Sequence, residues 1–305
     1  MPLRSLRNIH SFRLPRFPRK PKWTQRNFIS EVLIPSLLQP RRGKKAPQPL
    51  LFPKLKEGQL AITWIGHASF LIQTPKRNVL IDPNWAKWLF IIKRLKHAGA
   101  LQHQLPNIDL VLITHAHFDH LDRPSLKSIA AQQPIIVPNG VSNLVHRLGF
   151  KLAQEMNWWD QWEFEDLKIT FTPAKHWGAR MVLDRHRLYG GYIIEYQGRK
   201  IYHCGDSAYF EGFKEIGRRE SPEIALLPIG AYEPPSFRDH HITPEQAVEA
   251  FQELNSKRLI PMHYGTYRLS YEPMHEPPQR LMQAAAAKGI LPNLTFLTEG
   301  LPQVF

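Results

Sequence analysis

Residues 108–120 read Ile108-Asp109-Leu110-Val111-Leu112-Ile113-Thr114-His115-Ala116-His117-Phe118-Asp119-His120. The first seven form a nearly continuous apolar run, as expected of a strand buried on both faces rather than one alternating between core and water. The next six hold three imidazoles and a carboxylate. No core strand accommodates such a cluster, and like charge would accumulate if the histidines were protonated. A metal centre resolves both problems, because neutral imidazole and ionised carboxylate are ordinary ligands of borderline divalent ions. On a turn after a strand, His115 and His117 can face one ion while Asp119 and His120 face a second.

One loop cannot complete two coordination shells, so further donors must come from elsewhere. His176 follows the apolar stretch 169–174, Asp206 follows 200–204 and its Gly205, and His263 follows 258–262. In layered α/β sheets, loops at strand ends are where binding groups converge. Outward from these positions, strands are expected at 60–65, 68–73, 79–82, 134–137, 167–172, 191–196, 200–204, 224–229 and 258–262. Helices are expected at 123–132, 141–148, 244–255 and 278–288. The third helix opens on Thr243-Pro244-Glu245-Gln246, where Thr caps, Pro fills the first turn and Gln bonds back. Strands interleaved with helices indicate an α/β layered fold. Gly66–Asp82 and Gly190–Asp206 each run strand, polar turn, strand, Asp over 17 residues, which suggests two similar β-rich halves packed together.

Composition bounds the function. Of 305 residues, 43% are hydrophobic and 22% charged, enough apolar surface to exclude disorder for most of the chain. The single Cys204 excludes an intrachain disulfide framework and a cysteine zinc knuckle, so any metal is held by His and carboxylates. It is best read as a small buried hydrophobe. No apolar run reaches the ~20 residues of a membrane span, and the N-terminus lacks a secretory signal. The expectation is a soluble, cytoplasmic protein. Residues 1–50 carry twelve Lys/Arg against Glu31 alone, so +11 of the net +14 lies there. The reading is an irregular basic arm over 1–58, in which only 30–38 has apolar content, followed by one domain over 59–305. Such an arm suits anionic lipid, nucleic acid, an acidic partner or a targeting role.

The order H-x-H-x-D-H, then His, Asp and His, resembles the metallo-β-lactamase superfamily of dinuclear metallohydrolases. It is most similar to the branch typified by N-acylphosphatidylethanolamine-hydrolysing phospholipase D. The segments that carry the likeness are TWIGHASFLI (63–72), LIDP (80–83), THAHFDHLD (114–122), TPAKHWGAR (172–180), HCGDSAYF (203–210), IGAYEP (229–234), HITPEQAV (241–248) and MHYGTYRLSYEP (262–273). The resemblance implies a four-layer αββα sandwich of two similar halves. It implies two zinc ions, with iron or manganese as alternatives: His115, His117 and His176 on one, Asp119, His120 and His263 on the other, and Asp206 bridging. The implied reaction is attack of a metal-bridging hydroxide on the phosphorus of a phospholipid diester, giving a phosphomonoester and an alcohol. Asp119 and Asp206 are then catalytic, and His241 matches a cleft histidine that orients substrate. Leu188-Tyr189-Gly190 departs from the family, in which a Trp usually precedes the Gly pair.

Several residues carry weaker readings. His67 lines the cleft floor; Trp158, Trp159 and Trp177 are more often core than ligand contacts; His240 and the remaining histidines have no assigned role. Residues 85–97 (WAKWLFIIKRLKH) place Trp85, Trp88, Leu89, Ile92 and Leu95 at helical spacing among Lys87, Lys93, Arg94 and Lys96. Two readings stay open there: an interfacial helix on an anionic membrane, with the protein peripheral on the inner face, or a face packed on the body. A nucleic-acid phosphodiesterase would use the same metals, but the gaps 119–176 and 206–263 leave no room for a large clamp domain. A lactone or thioester hydrolase on the same centre is the other alternative.

Overall fold

Apolar residues on both sides of a strand require a cover on each, and the chain supplies one in layers. The computed structural model describes residues 27–43, 50–181 and 184–305; most of the basic arm, 1–26 and 44–49, lies outside the described residues. The first sheet is built from β1 (Ala61–Gly66), β2 (Ser69–Gln73), β3 (Asn78–Ile81), β6 (Leu110–Leu112), β7 (Ile135–Pro138), β8 (Ala153–Met156) and β15 (Gln303–Val304), in the order β15-β1-β2-β3-β6-β7-β8. The second contains β9 (Gln161–Phe164), β10 (Leu167–Thr172), β11 (Gly191–Tyr196), β12 (Arg199–His203), β13 (Ile224–Pro228) and β14 (Arg258–Met262), in the order β14-β13-β12-β11-β10-β9. Two short strands, β4 (Trp88–Leu89) and β5 (Ile92–Lys93), pair with each other apart from both sheets.

Successive side chains on a strand point to opposite faces, and here both faces are apolar. Trp64, Phe70, Ile72, Val79, Ile81 and Leu112 join Ile169, Phe171 and Tyr192 of the second sheet in one buried cluster. Their neighbours face the other way: Ile65, Leu71 and Leu80 pack in a second cluster. Val111, Ile113, Ile135 and Val137 pack in a third with Leu126 and Val145 of the helices Arg123–Ile129 and Ser142–Val145. Helices Gly212–Glu220, Pro244–Glu253 and Glu276–Ala287 bring Phe213, Ile216, Val248, Phe251 and Leu281 onto the second sheet. The expected capping box is present: Gln246 N donates to Thr243 Oγ1 while Thr243 N donates to Gln246 Oε1.

The internal echo is topological. In the first sheet β2 pairs antiparallel with β3, which runs parallel to β6 and on to β7. In the second, β11 pairs antiparallel with β12, which runs parallel to β13 and on to β14. Asp82 and Asp206 therefore leave equivalent strand ends.

The structure departs from the sequence reading in four places. Residues 85–97 are not helical; β4 and β5 form a two-stranded hairpin there. The chain then runs extended, its backbone taken up by long-range bonds: Arg42 N donates to Leu95 O, and Leu95 N to Thr266 O. Ile29–Leu38, inside the stretch read as an irregular arm, is helical. Strands β8, β9 and β15 and the helix Gly212–Glu220 are additions; β8 and β9 are four residues each and mostly only partly buried, and β8 lacks apolar alternation. The helices expected over 123–132 and 141–148 stop early, the first where the Gln133 side chain takes the Ile129 carbonyl and the Ala131 amide.

Candidate metal centre

Every donor nominated from the sequence leaves the end of a strand or the turn beside one, and all lie along one edge of the two sheets. The backbone there is bent to aim them. His67, Asp82 and His263 have φ values of 57°, 44° and 60°, in the left-handed region that non-glycine residues enter at a cost. Gly205 (φ 65°) precedes Asp206, and a Cβ on it would lie 2.7 Å from the Gly190 carbonyl oxygen.

The structure brings all seven nominated donors together in two groups that meet. His115, His117, His176 and Asp206 form one group and His67, Asp119, His120 and His263 the other; Asp206 also groups with His241 and His263. His117 Nδ1 lies 3.0 Å from His115 Nε2 and 3.2 Å from His176 Nε2. Asp206 Oδ2 lies 3.2 Å from His120 Nε2 and 3.1 Å from His263 Nε2. His67 Nε2 lies 3.0 Å from Asp119 Oδ2, closer to the centre than the cleft-floor reading placed it. His241, whose expected role was substrate orientation, sits with its Nδ1 3.9 Å from Asp206 Oδ2.

The outer nitrogens set which inner nitrogen is free. His120 Nδ1 donates to Asp82 Oδ2 at 2.7 Å, and His176 Nδ1 donates to the His240 carbonyl at 3.0 Å; these oxygens only accept, so the protons sit on Nδ1. Thr114 Oγ1 donates to Asp82 Oδ2 at 2.6 Å and lies 3.0 Å from His115 Nδ1. In the neutral form of each imidazole the lone pair then lies on Nε2 and faces inward, the arrangement that outer partners impose on metal-binding histidines. The two echoed carboxylates thus flank opposite nitrogens of one imidazole, His120: Asp82 accepts from Nδ1, and Asp206 Oδ2 lies 3.2 Å from Nε2. The loop itself is clamped by Arg180, whose Nη1 donates to the carbonyls of Ala116 and Leu121 at 2.7 Å. The same guanidinium stacks 3.8 Å over the Phe118 ring.

The donor set fits a pair of cations. His117 Nε2, His120 Nε2, His263 Nε2 and Asp206 Oδ1 are buried with no hydrogen-bond partner, a costly state unless another group satisfies them. Burial pushes the His115, His117 and His176 imidazoles below their ordinary range, which keeps them neutral. Burial opposes charge on Asp119 and Asp206 as well, but the neighbouring imidazoles outweigh it and hold both carboxyls well below the usual range. Burial likewise disfavours a proton on His263, yet Asp206 and Asp119 raise it to about 9. Burial disfavours a proton on His120 too, but Asp206, Asp119 and Asp82 outweigh it and raise it well above its ordinary range. His115, His117 and His176 thus offer neutral imidazoles beside anionic carboxylates, while His120 and His263 hold protons that bound cations would displace, a donor set suited to a dinuclear metal site.

A cavity of about 480 Å³ opens beside His176, walled by Trp177, Tyr189, Arg185 and His240. It adjoins a second, of about 380 Å³, through Ala179 and Arg185, and that one reaches Phe118 and Phe90. Trp177 is therefore no core residue, contrary to the sequence reading. It is 40% exposed and its ring lies 4.3 Å from those of both His176 and His240. Trp158 is also exposed, its Nε1 donating to the Tyr189 carbonyl, while Trp159 is partly buried against the core. Asp82, Arg180, Arg185 and His240 have no role in the sequence reading, although Asp82 echoes Asp206 and lies in LIDP, and Arg180 closes TPAKHWGAR.

Asp82→Asn should cost about 10–100-fold in metal affinity or in turnover, because the amide cannot accept from Thr114 and His120 as a carboxylate does. Metal titration of the variant, with kcat measured at saturating metal, checks this.

A model of the Beta-lactamase superfamily domain matches residues 77–264. The chain belongs to this superfamily. The N-acyl-phosphatidylethanolamine-hydrolyzing phospholipase D 1 of Caenorhabditis elegans is 31% identical over 271 residues, covering 82% of this chain and 76% of that protein. An uncharacterized protein of Mycobacterium tuberculosis is 32% identical over 256 residues (79% and 68%). A UPF0173 metal-dependent hydrolase of Methanopyrus kandleri is 30% identical over 245 residues (79% and 98%). Among solved structures, the metallo hydrolase Igni18 of Ignicoccus hospitalis superposes with a TM-score of 0.63 at 24% identity (81% and 98%). The metallo-β-lactamase fold protein YhfI of Bacillus subtilis superposes at 0.60 and 15% (81% and 100%). The two mixed sheets flanked by helices are the metallo-β-lactamase fold, and the chain is a metal-dependent hydrolase of that superfamily.

Proposed function

We propose that the chain is a dinuclear zinc phosphodiesterase that hydrolyses phospholipid diesters, N-acylphosphatidylethanolamine-like lipids among them, to a phosphomonoester and an alcohol. The observation that carries this reading is the meeting of two donor groups on Asp206 beside a cleft walled by Trp177, Tyr189 and Arg185. His115, His117 and His176 would hold one zinc and Asp119, His120 and His263 the other, with Asp206 between them. A bound pair of divalent ions eases the ionisation of water and stabilises charge on a phosphoryl oxygen and a leaving alkoxide. The remaining work belongs to side chains of the chain. Asp82 and the His240 carbonyl hold two imidazoles in the required tautomer. Burial lowers His241 to about 4, so it is a neutral hydrogen-bonding group for a substrate oxygen rather than an acid. Arg185, exposed on the rim shared by both cavities, offers a cation to the phosphate. The Trp177 and Tyr189 rings offer apolar surface to the hydrocarbon portion of the lipid. The similarity to the C. elegans phospholipase D supports a lipid diester, whereas the equal similarity to UPF0173 hydrolases supports a broader hydrolase reading.

An assay panel on purified, metal-quantified protein separates these: a generic phosphodiester, N-acylated and ordinary phospholipids, RNA, and a lactone. Preference for the lipid diesters is expected. Lactone turnover without any phosphodiester turnover would overturn the reading.

A further inference from the structure

The hairpin that replaces the expected helix is built against its own turn preference. Leu89 pairs with Ile92, so Phe90 and Ile91 form a two-residue turn, the place where Gly, Asn and Asp dominate. Phe90 sits there with φ 52° and is 70% exposed; Ile91 and Trp88 are 59% and 48% exposed. The helix Ile34–Leu38 lies alongside, tied by Lys93 Nζ to the carbonyls of Leu37 and Gln39. It adds exposed Ile34, Leu37 and Leu38, the last 80% exposed. Contiguous exposed apolar surface of this kind marks an interaction site. A turn tip beside a short helix, with side chains up to 80% exposed, suits insertion into a soft phase.

Charge selects the phase. Residues 27–43 and 85–97 carry Arg41, Arg42, Lys87, Lys93, Arg94 and Lys96 against Glu31 alone. Lys96 is paired with Glu299 and Arg94 is buried, which leaves Arg41, Arg42, Lys87 and Lys93 as cations on the same two segments that carry the apolar residues, the combination that binds an anionic lipid surface. Position ties the patch to the chemistry. The Phe90 ring lies 4.3 Å from Phe118, between His117 and Asp119 in sequence, and both line the cavity that continues to His176. We propose that the hairpin Trp88–Lys93 and the helix Ile34–Leu38 form a docking surface for an anionic bilayer, which seats the groove to the metal centre at the headgroups. This inference rests on the phospholipid reading for its purpose, but not for its test.

The test is co-flotation of the full chain with phosphatidylcholine vesicles, with and without phosphatidylglycerol, at low and high salt. Wild type should float with the anionic vesicles and be released by salt. Ile91→Asp with Leu38→Asp, two exposed positions outside the cleft, should weaken vesicle binding about a hundredfold. Its thermal midpoint and its turnover of a water-soluble phosphodiester should match wild type. Lys87→Glu should weaken binding only to anionic vesicles. Equal flotation of wild type and the double variant, or no flotation of wild type, overturns the proposal. So does a wild-type dimer that the double variant converts to monomer, since the patch would then cover a second copy. Flotation without hydrolysis of any diester would instead sink the phospholipid reading and leave the surface standing.

Discussion

Asp206→Asn is expected to lower turnover by about 10³-fold or more while leaving the fold in place. Asp206 is the one side chain common to the donor groups around His117 and around His263, with Oδ2 within 3.2 Å of both His120 and His263. An amide keeps the shape but offers one neutral oxygen where a buried anion stood, so the charge that balances two cations is lost. Asp119→Asn should act in the same direction, because Asp119 serves the second group and faces His67. Steady-state kinetics on metal-quantified protein, with circular dichroism as the folding control, checks both. Near-wild-type activity in either variant would contradict the assignment.

Stripping metal should have the second large effect. His115, His120, His176, Asp206 and His263 are all buried at the centre, and ions that bind the folded state alone stabilise it by about 4 kcal/mol at a thousandfold excess over Kd. For a domain of this size that corresponds to a fall of about 10 °C in thermal midpoint on chelation. Activity should be lost in parallel, and added zinc should restore both. Differential scanning calorimetry with and without chelator reads the shift. An unchanged midpoint would mean that the donors are satisfied without cations.

Much of this architecture could be read from the chain because its strands are buried on both faces. The runs at 60–65, 108–114 and 224–229 carry apolar residues on every side, and no helix or loop of that length would. The donors were legible for a related reason: His115, His117, Asp119 and His120 are packed where core residues belong, and His176, Asp206 and His263 each follow a strand. What escaped depends on distant partners. Asp82 acts on His120 across 38 residues of sequence, hinted at by the echo and by its place in LIDP. Trp177 looks like a core residue by type, and its place on the cleft wall is set by His240, which arrives from the loop after β13. Residues 85–97 satisfy helical spacing as well as hairpin spacing. The choice is made by the Thr266 carbonyl, which takes the Leu95 amide, and by the Asn84 carbonyl and Tyr267 hydroxyl, which take the buried Arg94 guanidinium. The helix Gly212–Glu220 was hidden by its glycines, of which Gly217 is required: a Cβ there would meet the Glu253 carbonyl oxygen at 2.1 Å.

Anomalous diffraction from crystals grown with saturating zinc asks most directly whether this chain assembles a two-metal centre. Two peaks about 3.5–4 Å apart, one within reach of His115, His117 and His176 and the other of Asp119, His120 and His263, with the Asp206 carboxylate touching both, are the predicted result. A single peak, or none at these side chains, would contradict it.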